Sequence, residues 1–226
     1  MEKTAFPGIR QEMLDYFVGI GLNNNRDFFL RTHEDYEKNV RDPLYALAEG
    51  LLPAARELEP DLEELPRRIV SHIRRDTRFT KDKSPYRDHM WLTFRSAARN
   101  KWECFCLYYA ISLEESGYGA GYYYNDPARA RWFREKLPRQ QEEFLAVICD
   151  PEFAARFVIE GDEYKKIVIP EKLDPRLIPL YVKKSFSVWH SDGLDEKIGQ
   201  PEYLDEIAEG FRILKPLYRL MNDCTD

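Results

Sequence analysis

Apolar residues recur along the first part of the chain with helical spacing. Ile9, Met13, Phe17 and Ile20 stand four, four and three residues apart, which puts them on one face of a helix ending near Gly21. The run Asn23-Asn24-Asn25 interrupts that pattern. Asparagine caps helix starts, so Asn24 or Asn25 is expected to cap a second helix running from Arg26 toward Arg41. Asp42-Pro43 reads as a cap followed by proline at the first helical position. A third helix is expected there, its stripe Leu44, Leu47 and Leu51 continuing the face of Tyr36 and Val40.

From residue 67 the period changes to two. Residues 69–73, 89–95 and 103–113 read as strands, the last most clearly, because Phe105, Leu107, Tyr109, Ile111 and Leu113 alternate with Cys104, Cys106, Tyr108, Ala110 and Ser112. A fourth strand, 117–124, alternates Gly117, Gly119 and Gly121 with Tyr118, Ala120 and Tyr122. One of its faces has no side chains, so something must pack closely there.

Asp126-Pro127 opens a helix through Leu137, and Pro138 is expected to start another containing Phe144, Leu145 and Ile148. Residues 162–179 read as loop and 181–189 as a last strand. Pro201 opens a terminal helix with Leu204, Ile207, Phe211 and Leu214 facing inward, bent near its end by Pro216. The expected fold is one α+β domain spanning residues 1–226: an antiparallel sheet of about five strands (67–124 plus 181–189) packed with N- and C-terminal helices.

Composition adds limits. Hydrophobic residues at 43% and charged ones at 33% suit a soluble globular protein, and no apolar run is long enough to span a bilayer. The N-terminus lacks the apolar stretch of a signal peptide, so a cytoplasmic protein without membrane attachment is expected. The cysteines Cys104, Cys106, Cys149 and Cys224 lack zinc-site or disulfide-framework spacing and are expected as reduced thiols.

Charge singles out one segment. The formal net charge is −6, yet RRDTRFTKDKSPYRDH at 74–89 sets six bases against three acids, with Arg67 and Arg68 just upstream. Such a segment calls for an anion, and the acidity of the whole chain argues against a broad duplex-binding face. Arginine offers a planar fork that grips phosphate or carboxylate by two bonds at once, and lysine adds point charge. The competing reading is a solvated connection in which Asp76 and Asp82 pair with their neighbours.

Other candidate chemistry is thinner. His33, His72, His89 and His190 lie on different elements; His72 and His89 flank the cationic loop and could supply a general base if they share a side. No set of metal ligands is recognisable, and the three glycines lack the dinucleotide-binding spacing. Tyr122-Tyr123-Tyr124 and Trp132 could stack on a base, core packing being the commoner use of such rings.

The FPG start of the first helix, NNNRDFF at 23–29, the cationic run and KKSF at 183–186 together resemble an uncharacterised family called domain of unknown function 2461, over nearly the whole chain. Its long pattern R-D-x-R-F-[ST]-K-D-K-x-P-Y matches at 75–86. Phe28 stands where the family usually has tryptophan, and Ser84 where it has threonine. The resemblance implies a single α+β domain and a set of motif positions, and it brings no activity, cofactor or catalytic residue. Those positions are expected to converge on an electropositive pocket of Asn24, Asn25, Arg26, Arg75, Arg78, Lys81, Lys83, Tyr86 and Lys184.

In that pocket Arg75 and Arg78 would clamp a small phosphate- or carboxylate-bearing ligand for binding or turnover, and Tyr86 or a histidine would act on it. The alternative is a non-enzymatic module docking an acidic partner or a nucleic-acid backbone, with Asn25 serving only as a helix cap. The sequence sets neither the cofactor nor the oligomeric state.

Overall fold

The computed structural model describes residues 5–100, 103–122 and 126–222. Helix α1 (Gln11–Leu22) buries Met13, Tyr16, Phe17 and Ile20, the face that the spacing predicts. Asn25 caps α2 (Arg26–Arg31), its side chain accepting from the Phe28 amide at 2.9 Å. The expected long second helix is divided at Thr32: α3 (His33–Tyr36) follows, then a π-helical turn (Glu37–Arg41) leads straight into α4 (Asp42–Arg56).

Asp42 therefore does not cap a new helix. Its backbone stays helical, its amide donates to the Glu37 carbonyl, and its carboxylate accepts from Arg41 Nε at 2.9 Å. The π turn widens the coil by one residue, which admits Pro43 without a break in the rod. The stripe Tyr36, Val40, Leu44, Leu47 and Leu51 is buried throughout.

Five strands form one sheet in the order β1-β2-β3-β5-β4, every neighbour antiparallel: β1 (Met90–Phe94), β2 (Phe105–Ile111), β3 (Ser116–Tyr122), β4 (Val158–Glu160) and β5 (Ser187–Gly193). The fold is α+β as expected, but two strands lie elsewhere. Residues 67–69 belong to a short helix α5 (Pro66–Ile69) started by proline, and beyond it only Val70 and Arg74 make isolated bridges, to Leu92 and Tyr86. The Arg87 guanidinium donates to the carbonyls of His72 (2.6 Å) and Arg74 (2.7 Å) along this stretch.

Between α6 (Pro127–Lys136) and the last strand, α7 (Gln141–Ile148) begins three residues after Pro138, which sits in a turn. A further helix, α8 (Pro151–Arg156), capped by Asp150, and the short β4 have no counterpart in the sequence reading. Residues 181–186 are not strand: α9 (Ile178–Tyr181) carries Pro179 in its first turn, and the next residues bond to loop 161–163 through Lys183 Nζ to the Gly161 carbonyl and the Lys184 amide to the Asp162 carbonyl. Tyr123, Tyr124 and Cys224 lie outside the described residues.

One face of the sheet carries Leu92, Phe94, Phe105, Leu107, Tyr109, Ile111, Tyr118 and Val188, all buried. The terminal helix α10 (Tyr203–Asn222) packs on this sheet and on α4, burying Ile207, Phe211, Leu214 and Leu217. Each such side chain removed from water contributes about 1.5–3 kcal/mol. Because this helical layer sits on one side, chemistry is left to the opposite face and to the β1 edge. No helix among the described residues is long and apolar enough to cross a membrane.

Candidate functional site

Segment 70–75 and segment 85–92 run side by side and hold out the loop between them. Besides the two bridges, the Ser71 amide donates to the Trp91 carbonyl, the Arg75 amide to Pro85 and the Arg87 amide to Ile73, each at 2.8 Å. The loop neutralises itself. Arg78 donates two side-chain bonds to the Asp76 carboxylate (2.9 and 2.7 Å), Arg75 pairs with Asp82, and Lys83 Nζ donates to the Thr77 carbonyl at 2.8 Å. The Arg78 side chain and amide hold Asp76 down at about 2, and the Ser84 amide and hydroxyl, with Arg75, do the same for Asp82. Phe79 stands in water at the tip.

The other expected site residues have separate settings. Asn24 clasps the Tyr86 backbone, and Tyr86, buried, stacks on Phe29 at 4.4 Å. Asn25 caps α2; Arg26 and Lys81 are exposed. Lys184 precedes β5 and lines a small hollow with Asp126, Arg129 and Phe186. Since β5 is three strands from β1, about 14 Å across the sheet, Lys184 is not gathered with the loop. The structure brings Asn24 to Tyr86 and pairs Arg75 and Arg78 within the loop. None of the nine residues lines the cleft described next.

That cleft, of about 500 Å³, lies between segment 67–76 and β1. It is walled by Arg67, Arg68, His72, Arg74, Arg87 and Arg95, and the carboxylate on its lining is Asp76, already gripped by Arg78. Arg68 pairs with Glu63 at 3.0 Å, and Arg95 donates to the Ser96 carbonyl at 3.1 Å. Arg67 and Arg74 form no ion pair among the described residues. The Arg87 guanidinium, braced by two carbonyls, lies 4.9 Å over the Trp91 ring. Arg67 and Arg74, sharing a concave wall with three more guanidiniums, add a field that an anion relieves.

Trp91 and Thr93 also border a second hollow, of about 360 Å³, on the open face of the sheet, with Cys106, Ala110 and Gly121 beneath and Tyr108 beside them. Farther across, Tyr108 stacks with Trp189 at 5.4 Å and 11° over the glycine strand. This pair and the β5 backbone are the close packing that the glycine alternation implies. Around Trp189 the surface turns acidic, with Glu115 accepting from its indole at 3.3 Å and Glu160 beside it.

A cluster of His190, Asp192 and Glu206 on the covered side has the spacing of cation ligands. Lys197 already holds that position, its ammonium 2.5 Å from Asp192 and 2.9 Å from Glu206. The buried Asp192 also accepts from His190 (2.8 Å) and from the Tyr203 hydroxyl (2.6 Å), so the group fastens β5 to α10 as a satisfied network.

The sequence reading picked the cationic segment but not the residues of it that face the cleft. One signal was present: Trp91, Thr93 and Arg95 alternate with Leu92 and Phe94, which puts an arginine on the face of the tryptophan. Comparison with known proteins adds a family whose model, described as "Conserved hypothetical protein (DUF2461)", matches residues 12–220. No curated protein matches the chain.

Proposed function

The chain belongs to the family of conserved hypothetical proteins DUF2461, and we propose that it binds a small phosphate- or carboxylate-bearing ligand in the cleft of Arg67, Arg68, Arg74, Arg87 and Arg95. The observation that carries this reading is the cleft's charge: five guanidiniums face a lining whose carboxylate is bound to a residue outside it. Arg74 and Arg67 supply uncommitted forks, while Arg87, held by backbone carbonyls, gives a fixed one. A volume of about 500 Å³ suits a metabolite better than a polymer backbone. His72 lines the same cleft and carries an imidazole, so turnover of the ligand is open to it. A cytoplasmic setting is part of the same reading, since Cys104, Cys106 and Cys149 are unpaired thiols.

Thermal unfolding at constant ionic strength with phosphate, pyrophosphate and citrate tests it. A bound anion at a hundred times its Kd stabilises by about 2.7 kcal/mol, a clear rise in Tm. Arg74→Ala and Arg67→Ala should each weaken that response about tenfold, and Lys81→Ala, in the exposed loop outside the cleft, should leave it unchanged. The reverse pattern would move the site to the loop tip, and no response to any of the three anions would end the proposal. A partner that is a nucleic-acid backbone would instead show affinity collapsing with added salt.

A further inference from the structure

Resting on the anion-binding reading, we infer that the ligand is a mononucleotide, with its phosphates among the arginines of the cleft and its base in the hollow over Cys106 and Ala110. The cleft and the hollow are not separate features, because Trp91 and Thr93 form a wall of both. On one side of that wall the chemistry is guanidinium; on the other it is aromatic and small apolar. A ligand filling both must be anionic at one end and flat and unsaturated at the other. A sugar phosphate or an inorganic anion satisfies only half of this surface.

The hollow is shaped for a ring. Its floor residues Cys106, Ala110 and Gly121 are small, and its aromatic sides are the indole of Trp91 and the phenol of Tyr108. A volume of about 360 Å³ accepts a planar heterocycle. The polarity of the face also limits the ligand's length. Beyond Tyr108 the sheet presents Glu115 and Glu160 around Trp189, so a second phosphate carried past the base would meet carboxylates. Phosphate charge is welcome at the β1 edge and repelled toward β4, which selects a monomer over a single strand that crosses the sheet.

Calorimetric titration of the full chain with pyrophosphate, with the 5′-diphosphates of adenosine, guanosine, cytidine and uridine, and with a short single-stranded oligonucleotide tests the inference. At least one nucleotide should bind about tenfold or more tighter than pyrophosphate, the scale of one base stacked on an aromatic wall. Ala110→Leu fills the hollow without belonging to the cleft, and it should erase that advantage while leaving pyrophosphate affinity unchanged. Should Ala110→Leu not fold, Ser187→Leu, on the opposite rim, serves the same purpose.

If pyrophosphate binds and no nucleotide exceeds it, the inference falls and the anion site stands. Binding of neither would remove both. An advantage that survives the filled hollow, or an oligonucleotide that binds tighter than every mononucleotide, overturns the placement proposed here.

Discussion

Asn24 and Tyr86, 62 residues apart, are joined as two strands would be: Asn24 Nδ2 donates to the Tyr86 carbonyl and Asn24 Oδ1 accepts from the Tyr86 amide, both at 2.9 Å. One side-chain amide thus satisfies both polar groups of a buried residue's backbone and locks the exit of the cationic loop to the start of the α2 cap. Asn24→Ala leaves those two groups without partners, at a cost of about 1–3 kcal/mol. Chemical denaturation should show that loss, and limited proteolysis should cut within 76–84 faster than in the parent protein. Unchanged cutting would mean that the clasp does not govern the loop.

The loop's carboxylates should titrate abnormally low. Asp76, bonded by the Arg78 side chain and amide, and Asp82, bonded by the Ser84 amide, its hydroxyl and Arg75, both lie at about 2 against an ordinary 3.8. A depressed value means that the contribution to loop order is complete above the ordinary value and is lost as pH falls through about 2. Carboxyl carbon chemical shifts should therefore give midpoints near 2. In Arg78→Ala the Asp76 midpoint should return toward 3.8 while Asp82 stays low.

Gly119 should tolerate no side chain. A Cβ there would come within 2.0 Å of the Val188 carbonyl oxygen, which belongs to a paired strand and cannot swing aside. Gly119→Ala is expected to lose about 3 kcal/mol or more. Gly121→Ala should cost less, since its nearest contact is the Ser187 Cβ at 2.9 Å. Thermal melts of the two variants give the order, and equal losses would contradict it.

The link between β5 and α10 depends on a buried charge. Tyr203→Phe removes one of the three groups that donate to Asp192, a charge-assisted bond of about 1.5–3 kcal/mol. Its hydroxyl has its pKa raised by burial and by the neighbouring Tyr109, so it stays a donor across the working pH range. Equilibrium unfolding should register the loss, with the anion response of the cleft intact, because Tyr203 lies on the covered side of the sheet.

Periodicity carried the helices and the central strands well. Stripes such as Met13-Phe17-Ile20 and Leu44-Leu47-Leu51 are buried because a helix must hide its apolar face, and the alternation around Phe105-Leu107-Tyr109 reports a sheet covered on one side. Where the expectation failed, isolated bridges, loop bonds or a π turn stood in place of a regular strand or cap. Segment 70–74 makes two isolated bridges, residues 183–185 bond to Gly161 and Asp162, and a π turn absorbs Pro43.

Local order along the chain was enough to determine an α+β protein, its buried faces and the stretch where its positive charge gathers, since periodicity and composition are properties of neighbours. Which of those cations remain available was decided only in three dimensions. Arg75 and Arg78 meet aspartates within their own loop, whereas Arg67 and Arg74 line the cleft beside Trp91 and form no ion pair among the described residues. Neutralisation of a charge depends on through-space distance to its partner, and that distance exists only once the sheet has formed.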